Sequence, residues 1–293
     1  MEDFMNTADI AFPHLGIYLG NVGKSISVFG FSVAFYGIII ACGMIGGILI
    51  ARWQAKRTGQ DPNVYSDFAL WGIIFALIGA RLYYVIFSWD IYKNDLLQIF
   101  NVRGGGLAIY GGVIAAVITA IVYCRIKKYN FLLFADTAIV GLIFGQMVGR
   151  WGNFTNREAF GQYTDSLFAM RLKTSQVYMS NVTDEMVANS VKNGQETYIQ
   201  VHPTFLYESV WNLAVLILML VYTKHKKNDG EIFLIYIIGY GLGRVWIEGL
   251  RTDQLQIGST GIAVSQVLSG VIVIAGIVAW VLLRMRAKKS VVE

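Results

Sequence analysis

The chain has 293 residues, 55% hydrophobic and only 15% charged, with 31 glycines against 3 prolines and a mean hydropathy of +0.53. That balance excludes an ordinary soluble domain and a disordered chain, and it marks a polytopic membrane protein. The net charge of +5 therefore bears on topology rather than on nucleic acid, because what matters is where basic residues fall relative to the spans. Two cysteines, Cys42 and Cys124, cannot build a disulfide framework or a four-ligand metal site and are read as buried free thiols.

Segment 1–29 is mixed in polarity, opens with Glu2 and Asp3, and lacks the basic start and small-residue cleavage pattern of a signal peptide. It is read as lying along the membrane interface. Apolar runs follow at about 29–51, 68–87, 107–124, 132–148, 205–222, 232–247 and 262–283. The first of these, at about 1.5 Å per residue, covers a hydrocarbon core of about 30 Å, whereas 132–148 is short and contains Asp136 and 232–247 runs directly into a charged cluster. The expected fold is an all-α polytopic membrane protein with seven transmembrane helices.

Basic residues fall in alternate loops: Arg52, Lys56 and Arg57; Arg125, Lys127 and Lys128; Lys224, Lys226 and Lys227; Arg284, Arg286, Lys288 and Lys289. By the positive-inside rule these loops and the C-terminus are cytoplasmic and the N-terminus is outside. The connection 150–203 is long enough for a small extracytoplasmic head, and its polar middle, 163–200, reads as a soluble cap. A loop of that length in a compact protein is commonly functional. The sequence shows no heptads, low-complexity tract or internal repeat.

Charged groups near hydrocarbon are expensive, so each needs a reason. Arg81, in Gly79-Ala80-Arg81, has two equal readings: snorkelling to the outer headgroups, or a place in a site. Next, Arg103-Gly104-Gly105-Gly106-Leu107-Ala108-Ile109-Tyr110-Gly111-Gly112 enters the third span. Its glycines admit close backbone approach, which suits a headgroup and a helix crossing equally. It is neither a Walker loop nor a dinucleotide fingerprint.

The 149–161 stretch is denser: Gly149-Arg150-Trp151-Gly152-Asn153-Phe154-Thr155-Asn156-Arg157-Glu158-Ala159-Phe160-Gly161. A guanidinium presents a planar fork of donors that fits a phosphate diester and never loses its charge. Asn153 and Asn156 add neutral donors, Glu158 can hold an arginine in place, and Gly152 and Gly161 let the backbone turn. A solvated flank would need no such punctuation.

His202-Pro203-Thr204-Phe205-Leu206-Tyr207-Glu208 opens the fifth span. With only His14, His202 and His225 in the chain no metal cluster can be assembled, and His202 is read as a capping or orienting residue. In 239–251, spacing of four then three puts Arg244, Glu248 and Arg251 on one helix face. Glu248 then bridges two cations and leaves an arginine for an anionic ligand, Arg244 being the deeper. Tyr36, in Phe35-Tyr36-Gly37, joins the same outer ends.

On these segments the chain resembles the prolipoprotein diacylglyceryl transferases, bacterial membrane enzymes that start lipoprotein maturation. The resemblance covers nearly the whole length. It implies transfer of the diacylglyceryl group of phosphatidylglycerol to the lipobox cysteine thiol of a preprolipoprotein, forming a thioether and releasing glycerol phosphate. It implies partners of three kinds, phosphatidylglycerol, preprolipoprotein signal peptides and membrane lipids, and no nucleic acid. No metal or cofactor is required, and the location is the bacterial plasma (inner) membrane with the site toward the extracytoplasmic leaflet.

By the same resemblance Arg150 and Arg244 bind the phosphate, and Asn153, Glu158 and Gly161 shape the site. The expected catalytic set is Arg150, Arg244 and Tyr110; Tyr36, Arg81, Asn156, His202, Glu208, Glu248 and Arg251 complete the headgroup site. The chain departs from the pattern at Tyr110, where many members carry histidine, and an unperturbed phenol with a pKa of about 10 is a poor base.

Rival classes fit less well. A secondary transporter of a small anionic or lipid-like solute would place polar groups near the midplane on broken helices, and only Asp136 comes near that. A receptor or scaffold has no need of arginines converging on one leaflet. Ile39-Ile40-Ala41-Cys42 fits a lipobox, but Cys42 lies inside a continuing apolar run with no basic pair ahead of it.

Overall fold

The computed structural model describes residues 8–102, 104–258 and 260–289, with side chains through 286. Glu2, Asp3, Arg103 and the side chains of Lys288 and Lys289 lie outside the described residues. Each apolar run is helical: α1 (Phe35–Arg57), α2 (Pro62–Phe87), α3 (Ile109–Lys127), α4 (Phe131–Asn156), α5 (Thr204–Tyr222), α6 (Glu231–Glu248) and α7 (Val264–Lys289). Six of these are long and apolar enough to cross a membrane. The exception is α6, whose 18 residues include Glu231, Arg244 and Glu248.

The chain is not all-α. Strands β1 (Ala8–Phe12), β2 (Ile17–Gly20), β5 (Met170–Lys173), β6 (Val191–Asn193) and β7 (Glu196–Val201) form an antiparallel sheet of order β2-β1-β5-β7-β6. A separate hairpin joins β3 (Ser25–Val28) to β4 (Phe31–Ala34). Segment 1–29, expected along the interface, thus contributes strands over its described residues. The first helix also starts later than expected, because 29–34 closes the hairpin: Phe29 and Gly30 both take positive φ, 50° and 83°, which is what a two-residue turn between right-twisted strands demands.

A second boundary moves the other way. Instead of ending at 148, α4 continues through Asn156, so 149–156 is two more turns of helix and not the start of a head. Arg150, Trp151, Asn153 and Thr155 find partners inside the fold, so their polarity does not break the helix. The break comes where Arg157 and Ala159 adopt left-handed backbone, φ 56° and 55°.

Two compact units can be distinguished, Met1–Gly47 with Ile139–Glu293, and Ile48–Ala138. In the first, Ile10, Leu172 and Ile199 stand in register across β1, β5 and β7, each at most 1% exposed. They form one apolar face, completed by Phe160, Met186 and Phe205. The other face pairs polar groups, Arg171 Nε donating to Gln200 Oε1 at 2.8 Å. Below the sheet, α1 and α4 cross through glycines: a Cβ at Gly47 would stand 2.6 Å from the Gly141 carbonyl oxygen, the close approach that small residues allow between apolar helices. Cys42 is exposed on α1, contrary to expectation.

Asp9 ties the N-terminal strand to this unit. Its carboxylate accepts from Val22 N at 2.9 Å and Gln176 Nε2 at 3.0 Å, and pairs with Lys173 at 3.1 Å and Arg157 at 3.8 Å. Burial alone would raise this carboxyl, but the bonds from Gln176 and Lys173 and the two cations outweigh it and hold it below the ordinary range. A depressed pKa contributes stability above the unfolded value of about 4, lost as pH falls through the folded one. Asp9→Asn is therefore expected to lower the melting temperature of purified protein at pH 7, with the gap to wild type closing as pH falls below the ordinary carboxylate range.

In the second unit α2 and α3 also cross on glycine, a Cβ at Gly79 falling 2.7 Å from Gly111 O. Tyr65, Phe68, Tyr123 and Phe134 pack around buried Cys124. Arg81 is 6% exposed, and its five N–H groups all go to backbone: Nε to Ile99 O, Nη1 to Gly105 O and Gly106 O, and Nη2 to Gln98 O and Asn101 O, at 2.6–3.1 Å. That is the whole donor set of a guanidinium, so the snorkelling reading is replaced by a clamp on the segment leading into α3. A lysine has three donors and no fork. Arg81→Lys is expected to speed amide exchange about tenfold or more through 98–106, read by hydrogen-exchange mass spectrometry.

Candidate active site

Three helix ends in the first unit bring charge together. Arg150 lies in the last two turns of α4, Glu208 in the second turn of α5, and Arg244 and Glu248 in the last turns of α6. Arg150 Nη2 is 2.8 Å from Glu208 Oε2, and Arg244 Nη1 is 3.4 Å from both Glu208 oxygens. The i,i+4 neighbours Arg244 and Glu248 form a tight ion pair, and Ser265 Oγ donates to Glu248 Oε1 at 2.7 Å. Glu208 and Glu248 are 4% and 5% exposed, a burial that carboxylates tolerate only when paired.

Arg251, one turn past Glu248, lies 3.7 Å from Glu248 and 3.9 Å from Glu208, while its Nε and Nη2 fork onto Asp253 at 2.9 and 2.8 Å. Burial opposes its charge, but the Asp253 bonds and the fields of Glu248 and Glu208 win and raise its pKa. Three arginines thus face three carboxylates, and the cluster has no net charge. The expectation that one arginine stays unpaired does not hold. What remains available is donor capacity: Arg150 makes no other ion pair or hydrogen bond among the described residues, and its fork is the least engaged of the three.

Backbone contacts fix these side chains. Gly161 N donates to His202 O at 3.0 Å, His202 N to Gln162 O at 3.0 Å, and Gln162 N to Leu250 O at 2.8 Å. The segment after α4 thereby binds both the entry to α5 and the exit from α6. At Gly161 a Cβ would fall 2.8 Å from His202 Cβ and 2.9 Å from Leu250 O, so only glycine lets the three strands of backbone meet. Gly152 does not turn the chain; it sits in α4 and receives the Tyr36 ring, 2.7 Å from where its Cβ would be.

Asn153 Nδ2 donates to Glu158 Oε1 at 2.9 Å across the helix end, and partly buried Asn156 closes the same helix. His202 Nδ1 lies 3.2 Å from the Tyr207 hydroxyl, and burial lowers its pKa, keeping the imidazole neutral near pH 7. That fits an orienting residue rather than a cation.

The structure gathers Arg150, Glu208, Arg244, Glu248 and Arg251, with Tyr36, Asn153, Glu158, Gly161 and His202 supporting the same helix ends. Arg157 is elsewhere, buried against Val22 O, Thr155 O and Asp9. Arg81 and Tyr110 belong to the second unit, where Tyr110 opens α3 half exposed. Asp253, Ser265 and Asn212 escaped sequence reasoning. Asp253 carried a signal, an acid two residues after Arg251, while Ser265 and Asn212 are single polar residues near or within apolar runs.

A family model described as Prolipoprotein diacylglyceryl transferase matches residues 24–282. The chain belongs to that family. A phosphatidylglycerol--prolipoprotein diacylglyceryl transferase of Clostridioides difficile (strain 630) is 42% identical over 269 residues, covering 92% of this chain and 98% of that protein. The Finegoldia magna protein of the same name is 40% identical, covering 92% and 97%. That of Listeria welshimeri is 41% identical, covering 86% of each. The match takes in every segment on which the resemblance rested, and it makes this chain a transferase of the multi-pass membrane class.

Proposed function

We propose that the chain transfers the diacylglyceryl group of phosphatidylglycerol to the lipobox cysteine of preprolipoproteins, with the Arg150–Glu208–Arg244 cluster holding the phosphate. The supporting observation is that two arginines from separate helices share one buried carboxylate at helix ends. α6 joins the other six helices as a seventh span, with the N-terminus outside and the C-terminus cytoplasmic in the bacterial plasma membrane. The alternate basic loops support that orientation and a site toward the extracytoplasmic leaflet.

The substrate thiolate attacks the glycerol carbon that carries the phosphate ester. A carbon–sulfur bond forms, the carbon–oxygen bond breaks with its electron pair leaving on oxygen, and the thiol proton ends on the phosphate monoester or in water. A free thiol near pKa 8.5 needs its charge favoured. The forks of Arg150 and Arg244 neutralise the charge growing on the leaving phosphate, the kind of stabilisation that dominates such sites. Because the cluster is neutral overall, it stabilises that charge by aimed donors rather than by excess positive charge. Asn153, Glu158, Gly161 and His202 hold the frame.

The test is purified protein in detergent with phosphatidylglycerol and a lipobox peptide, a system with no compartment to transport into. The expected product is peptide heavier by one diacylglyceryl group, with glycerol phosphate released in equal amount. Unmodified peptide would refute the proposal.

A further inference from the structure

The hairpin of β3 and β4 stands apart from the five-stranded sheet, and every one of its strand residues is exposed. Alternation puts Ile26, Val28, Phe31 and Val33 on one face and Ser25, Ser27, Ser32 and Ala34 on the other. In a membrane protein, lipid is enough to cover the apolar face. Lipid chains do not supply what the strand edges lack, which is hydrogen-bond partners for the backbone.

The register identifies those groups. Across the two-residue turn Val28 and Phe31 exchange hydrogen bonds, and alternation carries the pattern through Ile26 and Val33 to Lys24 and Phe35, where Phe35 N donates to Lys24 O at 2.9 Å. The N–H and C=O groups of Ser32 and Ala34 therefore point away from β3, and nothing among the described residues bonds to them. Natural sheets protect such an edge with a lysine, a proline or a bulge. Segment 25–34 has none of these: it is uncharged and its register is unbroken. An open edge with small side chains at Ser32 and Ala34 is a template for a further strand.

The place of β4 in the fold selects that strand. β4 runs without a break into Phe35 and Tyr36 at the start of α1, and the Tyr36 ring packs on Gly152, inside the two turns of α4 that also carry Arg150. A segment laid along β4 thus ends at the same helix end as the proposed phosphate site. The chain that must come there is a short run of aliphatic and small residues leading to a thiol, which can extend as a strand. We infer that the residues preceding the acceptor cysteine add to β4 as a third strand, held by main-chain hydrogen bonds to Ser32 and Ala34. The inference rests on the proposed transfer to a lipobox cysteine.

The experiment is a backbone N-methyl scan of the peptide. Lipobox peptides with one N-methyl group, placed at each residue before the cysteine in turn, are offered to purified full-length wild type with phosphatidylglycerol, and the peptide KM is measured. Strand pairing predicts a period of two, with KM raised about tenfold at alternate residues and nearly unchanged between them, because only every second N–H faces β4. Ser32→Pro removes an outward N–H and leaves the hairpin's own bonds; it is expected to raise the peptide KM several-fold with kcat and the phosphatidylglycerol KM unchanged. Ser27→Pro, on the opposite edge, is expected to change none of these. A flat scan on a peptide that is otherwise transferred would overturn the inference and leave the transferase reading standing. A Ser32→Pro effect on the lipid KM alone would put lipid on the edge, and a wild-type dimer lost in Ser32→Pro would put a second copy of the chain there; either would overturn it too. No thioether from the unmethylated peptide would overturn both.

Discussion

Arg150→Lys is expected to fold, insert and lose about 100-fold in initial transfer rate, mostly in kcat. The lysine keeps a positive charge beside Glu208, now 2.8 Å from the guanidinium, so the buried carboxylate remains compensated and the melting temperature stays near that of wild type. What it lacks is the planar fork. Arg150 has the least engaged donors of the cluster among the described residues, and those donors are available to the departing phosphate. Removing one donor aimed at developing charge typically costs 10²–10³ in kcat. Enzyme kinetics with phosphatidylglycerol as the varied substrate check this, and a near-normal rate would remove Arg150 from the phosphate site.

Glu208→Ala should act on stability first. Its carboxylate is 4% exposed and stands 2.8 Å from Arg150, 3.4 Å from Arg244 and 3.9 Å from Arg251. Deleting it leaves half-buried Arg150 without its carboxylate and takes one partner from Arg244 and Arg251, which keep Glu248 and Asp253, and breaking a buried ion pair from one side costs about 3–5 kcal/mol. A clear fall in the thermal unfolding midpoint is therefore expected, with loss of activity. Glu208→Gln separates charge from shape. It gives the cluster a net charge of +1, so inorganic phosphate is expected to raise its melting temperature more than that of wild type. Equal shifts in both would show that Glu208 does not set the charge of the anion site.

Helix positions were legible because apolar runs of this length leave the backbone little choice in a membrane. The ends were not. Residues 29–34 are as apolar as a helix start, but Phe29-Gly30 makes a hairpin turn, and a short apolar strand is indistinguishable from a short apolar helix by hydrophobicity. The 149–156 stretch looked like a loop because it is polar, yet its polarity is satisfied by Glu208, Glu158 and Ser209 from inside the fold. The sheet was signalled more plainly, by the alternation of Met170-Arg171-Leu172-Lys173 and by Asn193-Gly194 before Glu196–Val201.

The site divides along the same line. Arg150, Arg244 and Glu248 could be placed from spacing and from the cost of charge near lipid, and the family resemblance gave the chemistry. That Glu208 is the shared partner of three arginines could not be read, because it depends on α4, α5 and α6 meeting at one end. Arg81 shows the converse: a charge in an apolar run is a strong signal of purpose, but its purpose here is to bind five carbonyls of its own unit.

The most direct measurement follows the headgroup phosphorus by ³¹P NMR while purified protein acts on phosphatidylglycerol and a lipobox peptide. The diester resonance is expected to give way to a monoester resonance, one for each thioether formed, only when the cysteine is present, and to do so far more slowly with Arg244→Ala. Diester persisting while the peptide is modified, or monoester appearing without a thiol, would contradict displacement of phosphate by sulfur at this cluster.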